Sequence, residues 1–209
     1  MAVRYDDHVR RSPEPAERRR DAERSKQQLL DAAVIEFGAH GFSGARVSEI
    51  AARAGVNKQL ISYYFGGKEG LYRAVADSWR AAEPDLTSNA RTISEVVGAY
   101  ARASIEQPDM LRLLIREGVD RDTAGNDEEA QHKRFQGMLA DFRRRQEAGE
   151  LASRLDLAYA GLALFGVSAA PVVFPQIARA LGLDPDSEEF ATRYAEETAK
   201  LVALLAEPD

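Results

Sequence analysis

The chain has 209 residues, 44% of them hydrophobic, and a formal net charge of −6, which allows one or two globular domains and excludes a protein that is basic all over. It contains no cysteine, which excludes a disulfide framework and thiol chemistry and fits a reducing cytoplasm. The charge is uneven: residues 1–80 hold 14 Lys+Arg against 11 Asp+Glu, a net of +3, and the remainder 14 against 23, a net of −9, as expected of a protein that offers one end to phosphate.

The first 24 residues are polar and charged, with no apolar signal-peptide core, and read as a disordered basic arm. Arg18, Arg19 and Arg20 are placed there to touch phosphate or a minor groove, a solvated tail being the plainer alternative. The first predicted helix opens near Ser25, where Ser25 and Gln28 match the S-x-x-Q capping box, and ends before Gly41, a natural C′ residue. The stretch VSEIAARAGVNKQLISYYFG, residues 47–66, then holds two short helical patterns separated by one glycine. Ile50 and Ala54 give the first of them, Val47 to Ala54, an apolar face, and Ala51 is small enough for a second helix to approach. Gly55 stands where the chain turns and a positive φ is cheap only for glycine. Asn57 suits the N-cap of the next helix, Lys58 to Phe65, and Val56 and Ile61 pack it back onto its predecessor. This is helix-turn-helix spacing, with an αα-corner that reads nothing as the bland alternative.

Gly66 and Gly67 break the chain before a fourth helix from about Lys68 to Ala82, predicted to stop before Pro84. Helices follow at 92–107, 109–117, 127–148, 155–181 and 187–206, with breaks at Pro108, Gly125 with Asn126, Gly149 and Pro185. The last carries a stripe of Phe190, Tyr194, Thr198, Leu201 and Leu205, for which the uncharged stretch Leu157–Ala178 is the expected neighbour. That stretch is long enough to span a bilayer, but Pro171, Pro175, Ser168 and Gln176 favour a buried or dimerising helix. No strand-like alternation is present, so the fold class is all-α.

Three blocks in register extend this reading: Leu30, Ala32, Ala33, Phe37, Gly41 and Phe42; Ile50, Ala51, Ala54, Gly55 and Val56; and Tyr64, Phe65, Lys68, Glu69 and Leu71. Over Leu29–Leu71, about a quarter of the chain, the sequence resembles the DNA-binding domain of the TetR family of bacterial transcriptional regulators. The resemblance implies a helix-turn-helix domain over 25–67, a connecting helix over 68–84, and a helical ligand-binding and dimerisation domain over 85–209. It implies a repressor released from a near-palindromic double-stranded DNA operator by a small-molecule effector, acting as a homodimer paired through the last two long helices.

Carried over by position, the DNA face comprises Arg46, Val47 and Ser48, then Lys58, Gln59, Leu60, Ser62, Tyr63 and Tyr64, and finally Lys68. Lys58 and Lys68 are suited to phosphate, Gln59 to adenine, Tyr63 to sugar or a thymine methyl, and the Tyr64 hydroxyl to phosphate. Arg46 replaces the Thr or Ser frequent in the family and forfeits a hydroxyl cap; Gln59 and Ser62 also depart from common residues, so the operator does not follow by analogy. Candidate effector-pocket residues are Trp79, Tyr100, Met110, Leu114, Phe135, Met138, Phe142, Tyr159 and Phe165, each of which also reads as plain core. Glu129 and His132 form a single E-x-x-H pair where a di-iron site needs two, so no metal, cofactor or catalytic set is expected. The competing reading is a helical ligand-binding or membrane-associated protein whose helix-turn-helix is vestigial.

Overall fold

The computed structural model describes residues 15–120 and 128–206, and every regular element among them is helical. In order these are α1 (Pro15–Gly44), α2 (Val47–Ala54), α3 (Gln59–Phe65), α4 (Lys68–Leu86), α5 (Ile93–Glu106), α6 (Pro108–Asp120), α7 (Glu128–Glu147), α8 (Leu157–Val173), α9 (Pro175–Ala180) and α10 (Phe190–Ala203), with a 3-10 turn at Leu204–Ala206. The segment Asp120–Glu129, rich in Asp, Glu, Gly and Asn and a candidate pocket gate from its sequence, lies largely outside the described residues.

Two cores organise these helices. In the first, α1 supplies Leu29, Ala33 and Phe37, whose spacing of four residues forms one stripe. Ile50 and Ala51 of α2, Ile61 of α3, and Leu71, Tyr72 and Val75 of α4 close around it. Tyr72 meets Phe37 edge-on at 4.9 Å and Phe42 at 5.1 Å, which fixes the angle at which α4 leaves. One member of this core comes from far along the chain: Leu113 of α6 is buried in it. Helix α6 reaches α1 at Gly38, where a Cβ would lie 2.8 Å from the Asp109 carbonyl oxygen. The N-terminal domain therefore shares its core with the rest of the protein.

The second core gathers Ile93 and Val97 of α5, Phe142 of α7, Leu151, Leu164 of α8 and Val202 of α10. A capping box starts α5: the Glu95 amide donates to Thr92 Oγ1 at 3.2 Å, and the Thr92 amide donates to Glu95 Oε2 at 3.3 Å.

Several sequence expectations shift. Helix α1 begins at Pro15, so residues 15–24 of the expected disordered arm are helical, and residues 1–14 lie outside the described residues. Ser25 sits mid-helix and donates its hydroxyl to the Asp21 carbonyl at 2.8 Å instead of capping. Gly41 interrupts α1 with a positive φ (φ 68°, ψ 177°), but its ψ is not that of a left-handed C′ glycine, and the helix resumes to Gly44. Helix α4 runs through Pro84 to Leu86, because proline in a final turn forfeits one amide bond only, and neighbouring Glu83 anchors that turn. The single helix expected over 155–181 is divided at Phe174, with Pro175 opening α9. No helix among the described residues is long and apolar enough to cross a membrane. The principal neighbour of α10 is α5, and not α8 as expected. Its buried face is accordingly rotated to Phe190, Ala191, Ala195, Thr198 and Val202, leaving Leu201 exposed.

Candidate nucleic-acid interface

The turn between α2 and α3 is a Schellman motif. Gly55 is left-handed (φ 67°, ψ 27°); its amide donates to the Ala52 carbonyl at 3.2 Å, and the Val56 amide donates to Ala51 at 3.1 Å. Asn57 then caps α3 as its type predicts, its Oδ1 accepting from the Gln59 amide at 2.9 Å. Ile61, 2% exposed, pins the inner side of α3 to the first core, so the outer side is held rigidly toward solvent.

That outer side carries Lys58, Gln59, Ser62 and Tyr63, all exposed, with Tyr63 at 79%. Arg46 and Ser48 are exposed at the start of α2. A major groove admits one helix, and this group offers it a bidentate amide, a hydroxyl, an aromatic ring and cations. Other expected contacts turn partly inward. Val47, Leu60 and Tyr64 pack against the first core, and Phe65 does as well. The Tyr64 ring lies 5.0 Å from that of Tyr63 and beneath the Lys26 ammonium, 5.6 Å away. Lys68 is half-buried; its ammonium donates to the Ser43 carbonyl at 3.2 Å and lies 4.8 Å from the Phe42 ring, leaving two of three protons for phosphate.

Two arrangements escaped the sequence reading. Glu36 of α1 is 3% exposed, and its Oε1 accepts from the Arg46 amide at 3.2 Å. The Arg46 side chain makes no cap hydrogen bond; the carboxylate from another helix takes the amide of the N-cap residue itself, the donor that the acidic member of a capping box would take, where the α2 dipole also favours negative charge. The available signal was a carboxylate on the core-facing stripe of α1, beside Ala32, Ala33 and Phe37.

The second lies among the expected pocket residues. Trp79 of α4 and Phe135 of α7 flank the Arg134 guanidinium at 4.3 and 5.0 Å, and Arg134 binds Glu83 of α4. Tyr100 of α5 donates to the same carboxylate at 2.6 Å; burial first, and that hydrogen bond second, push its phenol above the usual range. The other pocket candidates are scattered. Phe142 belongs to the second core, with Met138 packed on it, and Met110 packs against the first core. Leu114 and Phe165 are half-buried, and Tyr159 is 76% exposed on α8.

The sequence model for bacterial regulatory proteins of the tetR family matches residues 29–75, which span the core-facing part of α1 through the first turns of α4. The chain is 32% identical over 167 residues to the HTH-type transcriptional repressor SCO4008 of Streptomyces coelicolor, covering 78% of this chain and 85% of that one. It is 34% identical over 108 residues to the HTH-type transcriptional regulator RutR of Escherichia coli K12, covering 48% of this chain and 50% of the relative. A TetR family transcription regulator from Marinobacter aquaeolei VT8 has the same fold, with a TM-score of 0.63 at 21% identity over 88% of this chain and 97% of that one. With a helix-turn-helix whose outer face is free for a groove and a relative similar over most of both chains, this protein belongs to the TetR family of transcriptional regulators.

Proposed function

We propose that the protein is a homodimeric repressor that leaves a near-palindromic operator when a small molecule binds within residues 85–209. The observation that carries this reading is the division of α3 into a locked inner side at Ile61 and a free outer side bearing Gln59, Ser62 and Tyr63. Gln59 pairs with an adenine edge, Tyr63 meets a sugar or thymine methyl, and Lys58 and Arg46 neutralise phosphates.

Dimerisation through α8 and α10 accounts for apolar side chains that the single chain leaves in water: Tyr159 and Leu162 on α8, and Leu201 on α10 with Leu204 just after it. A two-fold pair then presents two α3 helices one helical turn apart, as a palindrome requires. The effector acts on the helices that hold α4 and α6, since α4 leads directly from α3 and α6 shares the first core. Its leverage is a coupling on the order of 1–3 kcal/mol between sites.

The test is selection of bound duplexes from a random-sequence pool, followed by footprinting. A protected near-palindrome with two half-sites one turn apart supports the proposal. Substituting Lys58 and Tyr63 with alanine should abolish protection; an unchanged footprint would instead mean a vestigial reading head.

A further inference from the structure

The N-terminal end of α1 is a helix with no apolar face. Over residues 15–24 its only small apolar side chains are Ala16 and Ala22, and residues 16–20 are exposed throughout. It is supported locally by Arg24 with Asp21 at 3.2 Å, Lys26 with Glu23 at 3.0 Å, and the Ser25 hydroxyl on the Asp21 carbonyl. Such pairs are weak, and a polar helix projecting beyond its domain has no core to hold it. Its first buried apolar residue is Leu29, about four turns in.

One face of this extension is fixed relative to the reading head. The Lys26 ammonium sits over Tyr64, whose ring touches that of Tyr63 at the exposed end of α3. Arg19 lies seven residues earlier, roughly two helical turns or about 10 Å along the axis, on the same face as Lys26. Ala22 lies between them and leaves room for a bulky partner, while the carboxylate of Glu23 on the flank is neutralised by Lys26. Arg24 points away from this face by helical geometry, whereas Arg20 flanks it and lines the same surface hollow as Ala16, Arg19 and Glu23.

We propose that the α1 extension is a phosphate clamp: Arg19, with Lys26 behind it, contacts the sugar–phosphate backbone just outside the bases that α3 reads. The surface adjoins the reading helix, is exposed and is cationic, and a duplex seated on α3 continues past it with a regular array of phosphates. The contact carries no base specificity; it lengthens the footprint and steepens the salt dependence. This differs from insertion of a flexible arm into a minor groove, because a helix at this position meets the backbone from outside. The inference rests on the regulator reading above.

The experiment uses the full chain and the duplex that wild type enriches most from a random pool, in one form trimmed to the protected bases and one extended on both sides. Affinity is measured over a salt series for wild type, Arg19→Ala and Arg24→Ala, with circular dichroism confirming that all three are folded. Arg19→Ala should flatten the log–log salt slope by about 2 units, one phosphate from each subunit of a dimer, and erase the advantage of the extended duplex. The order of preference among different sequences should stay the same, and Arg24→Ala should leave the slope near that of wild type. An unchanged slope for Arg19→Ala overturns the clamp while leaving the regulator reading intact. Equal losses for Arg19→Ala and Arg24→Ala also overturn it, since they indicate diffuse attraction. If wild type itself protects no duplex, both readings fall together.

Discussion

Arg134 holds Glu83 in a fork: Nε donates to Oε2 at 2.7 Å and to Oε1 at 2.9 Å, and Nη2 donates to Oε1 at 2.6 Å, joining α7 to α4. Neither side chain is more than 19% exposed. Tyr100 adds α5 to the same carboxylate, and Trp79 lies under the guanidinium. Three helices are thus tied at the far end of the helix that begins beside the reading head.

Removing one partner of this knot leaves the other charge poorly solvated. Glu83→Gln should therefore lower stability by about 1–3 kcal/mol, and Arg134→Ala by a similar amount. The double variant should cost much less than the sum of the two, because the pair is lost only once. Thermal denaturation of the four proteins checks this; strictly additive losses would mean that the fork contributes nothing as a pair.

Tyr100 gives a pH signature. Its phenol is raised above the ordinary value of 10.0, chiefly by burial, so folding favours the protonated form. The linked stability is complete below pH 10 and is lost as pH climbs from there toward the folded-state value. In a phenolate absorbance titration Tyr100 should ionise late or only with unfolding, in company with Tyr194, whose phenol burial also raises, and Tyr100→Phe should shrink that late phase without abolishing it. A late phase of unchanged size in Tyr100→Phe would contradict the buried geometry.

Local signals made the reading head legible. Gly55, Asn57 and the inward Ile61 each state their role through residue type and spacing, and each stands as expected. The second half gave up less. Its helices were readable from period and breakers, but the partner of α10 was not, because α5 and α8 both offer apolar faces and only packing chooses between them. The Glu83–Arg134 pair, 51 residues apart, is a tertiary contact with no local signature. The early start of α1 was missed for the opposite reason: a polar segment without an apolar stripe reads as disorder unless its own side-chain pairs are counted.

Gly70 is required by close approach. A Cβ there would lie 1.7 Å from the Phe65 carbonyl oxygen, a backbone atom that cannot yield without moving α4 relative to α3. Gly70→Ala should cost above about 4 kcal/mol in chemical denaturation, in the range of severe single substitutions. Gly137→Ala, in open space on α7, should instead be neutral or stabilising by up to about 1 kcal/mol. Similar behaviour of the two variants would mean that the α3–α4 junction relaxes freely.

The exposed apolar residues of α8 and α10 predict assembly. Leu162→Glu and Leu201→Glu place charge on side chains that are 71% and 55% exposed in the single chain, so neither should disturb its fold. If these faces pair across a two-fold axis, both variants should sediment as monomers under conditions where wild type is dimeric. A dimer unaffected by either change would move the interface elsewhere.

Glu36 and Arg46 meet at the start of α2 through the Arg46 amide, which donates to the buried carboxylate, while the Arg46 guanidinium is exposed at the same helix start, where phosphate can reach it. Glu36→Ala leaves that amide without its partner and should cost about 1–3 kcal/mol, and it should weaken DNA binding because Ser48 and the rest of α2 lose their anchor to α1. Glu36→Gln keeps an acceptor and should fall between wild type and Glu36→Ala. Adding Arg46→Ser to Glu36→Ala supplies a hydroxyl cap for a different amide, one or two residues further on, so stability should recover in part. The salt slope of DNA binding should nevertheless flatten, since a cation facing phosphate has gone. Stability and salt slope moving in opposite directions in this double variant would separate the helix start from the phosphate contact. A double variant no more stable than Glu36→Ala would show that a hydroxyl at position 46 does not cap α2.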